Sequence, residues 1–372
     1  MTSREATIAL NILSGIGPVR VRKLVDALGS AEEILSASQH VLERVEGIGP
    51  KTARIITEWE SSVDLVGEID SAKARGIHVL TQEDEMYPEP LLKMYDAPLV
   101  LYVWGELATT DHHGIAMVGS RKHTYYGQQS ARQLSFQLAN AGVSIISGLA
   151  RGIDTFAHEG AIAAKGRTVA VIGSGLGQLY PPENMSIAET IADGRGAVIS
   201  EFPLETQPSK TTFPLRNRIV AGLSTGVVVI ECPKWSGSRI TANLAADLGK
   251  TVYAVPGPID SPTSAGCHDL IRNGATLVTS AEDILSDKEV LPLFEVPMKT
   301  TEMAVNPALL NLSETEQSLY DVLSSQPVLM DQILDQVPLS FPEVSVYLLQ
   351  LELKKLIRQL PGQRYVRVGN EG

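Results

Sequence analysis

The stretch Val143-Ser144-Ile145-Ile146-Ser147-Gly148-Leu149-Ala150-Arg151-Gly152-Ile153-Asp154-Thr155 decides the fold. An apolar run typical of a buried strand passes through a glycine-rich turn into a helix predicted at Thr155–Lys165. The same succession recurs from about residue 114 to residue 285. Continuous apolar strands that alternate with helices indicate a parallel sheet covered on both faces. The sequence therefore predicts an α/β fold with a doubly wound, Rossmann-like, mostly parallel sheet.

The strands of this sheet place the glycine-rich loops at one edge. The predicted strands are Gly114–Val118, Val143–Ser147, Thr168–Ile172, Ala197–Ser200, Gly226–Glu231, Thr251–Val255 and Ala275–Thr279. Further helices are predicted at Gln128–Ala141 and Ile240–Leu248. Ligands of such sheets bind beyond the carboxyl ends of the strands. The loops expected there are Gly119-Ser120-Arg121, Gly148-Leu149-Ala150-Arg151-Gly152, Gly173-Ser174-Gly175 and Ser236-Gly237-Ser238.

A second cluster, Lys210-Thr211-Thr212-Phe213-Pro214-Leu215-Arg216-Asn217-Arg218, combines three cations, an amide and an aromatic ring. Proline after Phe213 favours an extended chain and an exposed ring, with a helix beginning near Leu215. Cations at the positive end of a helix are unfavourable unless an anion offsets them. Guanidinium groups bind phosphates and aromatic faces stack on unpaired bases. This cluster, together with Gly119-Ser120-Arg121, therefore predicts a site for single-stranded nucleic acid. The alternative, a solvated helix face with one phenylalanine in the core, does not explain why the cations lie at the positive end of a helix.

The segments on either side of the sheet predict two further domains. In residues 1–65, Gly15-Ile16-Gly17-Pro18 and Gly47-Ile48-Gly49-Pro50 repeat a helix, glycine hairpin, helix pattern. This resembles a tandem helix-hairpin-helix (SAM-like) module, either contacting DNA phosphates or purely structural. The sheet domain is expected at 66–290, with 66–110 as a connecting layer, followed by a linker at 291–308.

Residues 309–372 are predicted to form a winged-helix domain. Ser313 and Glu316 form an N-terminal capping pattern, and helices are predicted at Glu314–Leu323, Met330–Gln336 and Glu343–Leu356 before a terminal hairpin. The last of these helices carries mainly valine and leucine, whereas a helix that reads the major groove carries more Arg, Asn and Gln. A role in protein contact or packing is therefore favoured over reading a DNA sequence.

The composition narrows the class of protein. The chain has 372 residues and a net charge of −12, which argues against a protein that coats nucleic acid non-specifically but permits one focused basic pocket. Two cysteines, Cys232 and Cys267, show no paired spacing, and no zinc motif or signal peptide is recognisable. A reduced, cytoplasmic protein without a metal or cofactor is expected, and no segment predicts contact with a membrane.

Three other patterns are weaker indications of a cofactor, metal or catalytic site. Gly173-Ser174-Gly175 begins a dinucleotide fingerprint that fails at Gln178, where the third glycine is required. Asp154 and His158 have the spacing of two metal ligands, but a helix cap and its hydrogen-bonded histidine explain them better. Glu201 ends a strand without an identifiable partner and is expected to accept from a loop N–H group. No catalytic residue is predicted.

In sequence order, the motifs of the sheet domain resemble the DprA/Smf family (DNA processing protein A). They comprise Val118-Gly119-Ser120-Arg121, Tyr126-Gly127, Ser147–Asp154 with Ala157-His158, Tyr180-Pro181-Pro182-Glu183-Asn184, Ser200-Glu201-Phe202-Pro203, Phe213–Ser224, Ser236–Ala242 and Val255-Pro256-Gly257. Two departures from the family pattern are Gly177, where an Asp is common, and Arg239, where an apolar residue is common.

The resemblance implies a non-catalytic homodimer that binds single-stranded DNA. Such a protein protects incoming DNA in natural transformation or recombination, displaces single-strand-binding protein and loads the RecA recombinase. The DNA pocket that the resemblance implies comprises Gly119, Ser120, Arg121, Lys210, Phe213, Arg216, Asn217 and Arg218, with Ser236, Gly237 and Ser238 beside it.

Two rival interpretations remain at this level. A Rossmann-type nucleotide-binding enzyme or sensor of the lysine-decarboxylase-like group would use Glu201 and Asp154, but its P-G-G-x-G-T motif is broken at Pro256-Gly257-Pro258. An adaptor would act through its hairpin and winged-helix domains alone.

Overall fold

The computed structural model describes residues 1–287, 312–324, 326–354, 356–360 and 362–367. These form two compact units, one of residues 1–123 and 130–287 and one of residues 124–129 with the C-terminal residues from 312. The linker predicted at 291–308 lies outside the described residues. The N-terminal helices and the sheet share the first unit, and the domain boundaries predicted from sequence stay predictions.

The N-terminal segment is helical, as predicted. Its helices are α1 (Ser3–Ile12), α2 (Pro18–Leu28), α3 (Ala31–Ser36), α4 (Gln39–Leu42), α5 (Pro50–Thr57), α6 (Trp59–Ser62) and α7 (Leu65–Ala74). Each predicted hairpin is present, with a positive φ at Gly15 and Gly47 and a proline opening α2 and α5. The buried faces of these helices join one apolar core with sheet residues such as Tyr102 and Val198.

Within the described residues, nine strands form the central sheet. They are β1 (Ile77–Thr81), β2 (Val100–Gly105), β3 (Ile115–Gly119), β4 (Ile145–Ser147), β5 (Thr168–Val171), β6 (Gly196–Ser200), β7 (Gly226–Ile230), β8 (Thr251–Ala254) and β9 (Thr276–Leu277). Their order is β1-β2-β6-β5-β4-β3-β7-β8-β9, and the seven strands from β6 to β9 are parallel. The predicted doubly wound, mostly parallel sheet is confirmed.

One expectation needs correction. Residues 66–110 do not form a separate connecting layer, because β1 and β2 extend the sheet itself. β2 pairs antiparallel with β6, Tyr102 opposite Ser200, and β1 pairs antiparallel with β2. Without β2, the parallel series would end in an exposed edge of unpaired N–H and C=O groups at β6. The two strands therefore extend the sheet and pair the edge of the parallel series at β6.

Helices cover both faces of the sheet. They are α8 (Glu89–Leu92), α9 (Tyr125–Asn140), α10 (Ile153–Ala163), α11 (Met185–Ala192), α12 (Thr212–Leu223), α13 (Gly237–Asp247), α14 (Ala265–Arg272) and α15 (Ala281–Leu285). Alternate side chains of each strand enter different cores. On β2, for example, Tyr102 packs with the N-terminal helices, whereas Leu101 and Val103 pack in the core that contains α12 and α13 residues.

The strand order creates a crevice between β3 and β7. From β3 the chain proceeds outward through β4 and β5 to β6, and it then returns to β7 on the other side of β3. Connections after β3 and β7 therefore leave in opposite directions, and the gap between them is where doubly wound sheets bind ligands. Gly119 ends β3, and the Ser236-Gly237-Ser238 loop follows β7.

The C-terminal unit has the three predicted helices, α16 (Glu314–Val322), α17 (Met330–Leu334) and α18 (Phe341–Leu353). The predicted terminal hairpin is also present, and with a short strand that was not predicted it gives β10 (Val328–Leu329), β11 (Ile357–Leu360) and β12 (Arg364–Arg367). The capping box of Ser313 and Glu316 is present. On α18 the buried residues are Val344, Leu348 and Leu351. None of the helices within the described ranges combines the length and apolarity needed to cross a membrane.

Lys250 anchors the end of α12, the helix that carries the predicted site. Its Nζ donates to the carbonyl oxygens of Ala221 (2.9 Å), Gly222 (2.6 Å) and Ser224 (2.6 Å). These are carbonyls at the end of a helix, where the helix itself supplies no donors. A single ammonium group thus ties the C-terminus of α12 to the start of β8.

Replacing Lys250 with methionine is expected to lower the free energy of unfolding by about 1–3 kcal/mol, because three partly buried carbonyls lose their donor. Urea denaturation followed by circular dichroism measures this loss. The control is Lys93→Met, since the side chain of Lys93 is 73% exposed and forms its ion pair with Glu89, four residues earlier in the chain. An equal effect of the two substitutions would contradict the anchoring role.

Candidate functional site

The loop after β3 is held by its serine. Ser120 N donates to Glu231 O at 2.8 Å, which joins the loop to the end of β7. Ser120 Oγ accepts from Lys122 N at 3.0 Å and donates to Lys122 O at 2.8 Å. Ser120 is buried while Arg121 is exposed. The serine therefore closes a rigid turn that presents the Arg121 side chain at the carboxyl edge of the sheet.

The loop after β4 is organised by Asp154. Its Oδ2 accepts from Gly148 N at 3.1 Å and Ala150 N at 3.4 Å. The expectation that Asp154 caps the following helix is wrong, because α10 begins at Ile153 and Asp154 folds back onto the loop before it. Burial raises the pKa of Asp154, while the positive charge of Arg216 opposes that shift.

Arg216 lies beneath these two loops. Its Nη1 donates to Gly148 O and Val171 O, at the ends of β4 and β5. A Cβ at position 148 would lie 2.3 Å from Nη1, so only glycine lets the guanidinium approach the backbone this closely. Burial lowers the pKa of Arg216 to about 10, which leaves it charged at neutral pH. Arg216, which was predicted to bind a phosphate, is thus a mostly buried cation that lines the site from inside the protein.

Phe213 belongs to the first turn of α12. The expectations that its chain is extended and that the helix begins near Leu215 are wrong, because α12 begins at Thr212. Proline is tolerated in the first turn of a helix, where its missing N–H is not needed. A Cβ at Gly173 would lie 2.8 Å from Phe213 Cδ1, so the glycine after β5 leaves room for the ring.

Four side chains form a row across the site. The Arg121 guanidinium carbon lies 5.1 Å from the centre of the Phe213 ring. That ring lies 5.9 Å from the ring of Tyr180, and the Arg151 guanidinium carbon lies 5.2 Å from the centre of the Tyr180 ring. Distances of this size are attractive for cation–π and tilted aromatic pairs. The row lines a cleft with Gly148, Ala150, Pro181 and Arg216.

Arg151 and Tyr180 were absent from the predicted site. Arg151 Nη1 donates to the Tyr180 hydroxyl at 2.8 Å, and Glu183 pairs with the same guanidinium, Nη2 to Oε2 being 3.1 Å. The sequence contained one indication that Arg151 belongs to the site, because Arg151 lies in a glycine-rich loop after a strand, as Arg121 does. Nothing local indicated Tyr180, which reaches Phe213 through the fold alone.

Arg218 differs from the exposed cations. It forms a buried ion pair with Glu201, Nη2 to Oε2 being 2.5 Å, and its Nε lies 3.2 Å from Asp96 Oδ2. The expectation that Glu201 has no specific partner is therefore wrong. Burial raises the pKa of Glu201, and the charge of Arg218 opposes this. Arg218 is 7% exposed and is not among the residues that line the cleft.

The other predicted residues lie around the same edge. Lys210 is exposed two residues before α12. Asn217 Nδ2 donates to Gly237 O at 3.5 Å and so connects α12 with the first turn of α13. Ser236 caps α13, its hydroxyl accepting from Ser238 N at 3.3 Å.

The residues that suggested other chemistry are engaged inside the protein. The His158 ring bonds to the Thr168 hydroxyl at 2.7 Å rather than to Asp154, and burial lowers its pKa to about 3. The described residues contain no group of three side chains able to hold a metal ion. Asp154 and Glu201, which a nucleotide-processing enzyme would use, are held by loop amides and by Arg218.

Comparisons with known proteins match all three parts of the chain. The family model of DNA recombination-mediator protein A matches residues 78–289. The DprA winged helix domain matches residues 304–363, and the SAM-like helix-hairpin-helix tandem matches residues 9–60. Protein Smf of Synechocystis sp. is 33% identical over 97% of this chain and 98% of its own length. DNA processing protein DprA of Streptococcus pneumoniae is 44% identical over 55% of this chain and 72% of its own.

Two solved structures share the fold. The X-ray structure of DprA from Streptococcus pneumoniae has a TM-score of 0.65 and 33% identity, covering 77% of this chain and 98% of that one. A structure of DprA from Helicobacter pylori, described in terms of its single-stranded DNA binding mode, has a TM-score of 0.52 and 28% identity. It covers 58% of this chain and 97% of its own.

The ion pair of Arg218 yields a test of its structural role. Arg218→Met leaves the buried Glu201 without its cation and is expected to cost about 3–5 kcal/mol of unfolding free energy in urea denaturation. Adding Glu201→Gln is expected to recover part of the loss, because the remaining group is then neutral. Arg121→Met, at an exposed cation, is the control and is expected to leave the stability within about 0.5 kcal/mol of the wild type. Equal stability of the Arg218 and Arg121 variants would refute the assignment.

Proposed function

This chain belongs to the DprA/Smf family of DNA recombination-mediator proteins, and from this premise we propose that it binds single-stranded DNA without catalysing a reaction on it. In this proposal the protein protects incoming DNA during natural transformation or recombination and transfers it to the RecA recombinase. The Helicobacter pylori relative, whose structure is described by its single-stranded DNA binding mode, supports the choice of ligand.

The observation that carries the proposal is the row of Arg121, Phe213, Tyr180 and Arg151 at the carboxyl edge of the sheet. Two aromatic rings between two guanidinium groups suit a chain that alternates flat bases with anionic phosphates. Base stacking on such rings needs unpaired bases, whereas duplex DNA exposes only base edges. The row therefore favours a single strand over a duplex.

The individual roles follow from exposure. Arg121 and Lys210, both exposed, contact phosphates, and Phe213 stacks on a base. Gly119 and Ser120 shape the turn that presents Arg121. Arg216 and Arg218, both buried, act from within: the first supports the floor of the cleft, and the second holds α12 through Glu201 and Asp96. Asn217 and the Ser236-Gly237-Ser238 loop form the rim.

The acidity of the molecule limits where DNA is held. A net charge of −12 repels a phosphodiester chain at long range, and screening in physiological salt restricts the attraction of a local cation pair to about 8 Å. Affinity must then come from a few close contacts with phosphates and from stacking. We expect a shallow dependence on salt, with a slope of about −2 in log K against log salt if about three phosphates are neutralised.

The first test uses labelled oligo-dT in a salt series. Arg121→Ala and Lys210→Ala are each expected to weaken binding and to reduce the salt slope by about 0.7, the value for one phosphate contact on a single strand. Phe213→Ala is expected to weaken binding with little change in slope, since stacking releases no counterions. Anisotropy titrations at several salt concentrations measure both quantities.

Arg195→Ala serves as the control for these variants. Arg195 precedes β6 at the opposite, amino-terminal edge of the sheet, where its Nη1 donates to Lys165 O. Its removal is expected to leave the affinity and slope unchanged. The proposal fails if Arg121→Ala and Lys210→Ala both bind like the wild type.

Family membership supports a proposal about the protein partners. We propose that the protein acts as a homodimer, contacts RecA and displaces single-strand-binding protein. The C-terminal unit is assigned to protein contact or packing rather than to reading DNA, because α18 exposes Val346 (54%), Leu349 (57%) and Leu353 (75%) on its outer side. Apolar side chains at these positions cannot make the bidentate hydrogen bonds that distinguish base pairs.

Removing residues 309–372 tests this assignment. The truncated protein retains the sheet and the whole cleft, so its affinity for oligo-dT is expected to stay within about threefold of the wild type, a difference of less than 1 kcal/mol. Anisotropy measures the affinity, and circular dichroism verifies that the sheet domain is folded. A loss of tenfold or more in a folded truncation would assign DNA contacts to the C-terminal unit.

A further inference from the structure

Trp235 is a large apolar side chain that the fold leaves in water. Its exposed fraction is 90%, whereas Trp59 and Trp104, the two other tryptophans, pack against the core. Most aromatic side chains are largely buried in folded proteins, and an exposed one often marks a binding surface. Packing inside the described chain therefore does not explain why position 235 carries an indole.

The loop of Trp235 lies on the same edge of the sheet as the cleft. It follows β7, the parallel neighbour of β3, and Glu231 at the end of β7 accepts from Ser120 N. Trp235 is four residues beyond Glu231, so its Cα lies within about 14 Å of that contact. Because β4 and β7 flank β3 on opposite sides, the loop that carries Trp235 leaves the sheet on the side of β3 away from β4 and Arg151.

A second connection ties Trp235 to α12. Asn217 is one helical turn beyond Phe213, and its side chain donates to Gly237 O, two residues after Trp235. The rise of one turn is about 6 Å. The path from the Phe213 ring through Asn217 to the Trp235 loop is therefore short enough for a few nucleotides of a single strand.

The charge around Trp235 favours a nucleic acid as its occupant. Lys234, its neighbour in the loop, is exposed, and α13, an 11-residue helix, begins two residues after Trp235, so the positive end of the helix dipole lies next to this loop. A cation, the positive end of a helix and a flat ring in succession match a phosphate followed by an unpaired base.

We propose that Trp235 is a second base-stacking position, separate from Phe213, for a single strand that leaves the cleft across the crevice toward β7. This inference rests on the proposed function and deepens it, because it gives the path of the strand. Phe213 and Trp235 would then contact different nucleotides of one DNA molecule. Short oligonucleotides would reach only the first ring.

Oligo-dT of two lengths tests this path. With about 16 nucleotides, Trp235→Ala is expected to weaken binding about 5- to 100-fold, the range for loss of one stacked base. With about 4 nucleotides, confined to the cleft, the same variant is expected to bind like the wild type. Trp235→Phe, which keeps a ring, is expected to retain most of the affinity for the longer strand. The fluorescence of the exposed indole is expected to be quenched by the longer strand and not by the shorter one.

Ile259→Ala is the matched control, because Ile259 is 95% exposed in the loop after β8, at the same edge, but has no ring. It is expected to bind both lengths like the wild type. Equal losses for Ile259→Ala and Trp235→Ala would show a general apolar patch, and equal losses of Trp235→Ala on both lengths would place the indole within the cleft. Unchanged DNA binding with lost capture of RecA would make Trp235 a protein contact. Each of these outcomes overturns the inference.

Arg121→Ala separates this inference from the proposed function. If Arg121→Ala weakens both lengths and Trp235→Ala weakens neither, the cleft binds DNA and the stacking role of Trp235 is refuted. If the wild type binds neither length, or Arg121→Ala binds both normally, the proposed function itself fails. The side chain at position 235 is almost fully exposed, so its replacement leaves the fold intact.

Discussion

The buried guanidinium of Arg216 is the interaction on which the site depends. Donating to Gly148 O and Val171 O, it joins α12 to the carboxyl ends of two adjacent strands. A buried charge is costly unless hydrogen bonds and opposite charge offset it. Here two backbone carbonyls accept hydrogen bonds from Arg216, and the nearby carboxylate of Asp154 supplies the opposite charge. Phe213 precedes Arg216 by one turn of the same helix. The hydrogen bonds that hold Arg216 therefore also determine where the Phe213 ring lies relative to the loops.

Two glycines of these loops serve that arrangement. Gly148 lets the guanidinium approach the backbone, and Gly173 leaves space for the aromatic ring. At these two positions, side chains from α12 fill the space that a Cβ would need. In a dinucleotide site the same loops would instead bring their backbone to a pyrophosphate.

Much of the architecture could be predicted from local patterns. Apolar periodicity and turn residues that are close together in the chain were enough to predict the seven parallel strands, the hairpins before Pro18 and Pro50, and the helices of the C-terminal unit. The connecting layer predicted at 66–110 instead contains the antiparallel strands β1 and β2, which extend the main sheet. The pairing of β2 with β6 joins segments almost a hundred residues apart, which no local pattern records.

The sequence by itself determined the kind of fold, the edge of the sheet at which the site lies, and the clustering of arginines with Phe213. Only the tertiary structure decided which of those arginines face outward. Arg216 and Arg218 were predicted to form the site together with Arg121, but the fold encloses the first among carbonyls and pairs the second with Glu201 and Asp96. It also brought Tyr180 and Arg151 beside Phe213. The reason is that burial and charge pairing depend on neighbours from distant parts of the chain, which meet only when the sheet has formed.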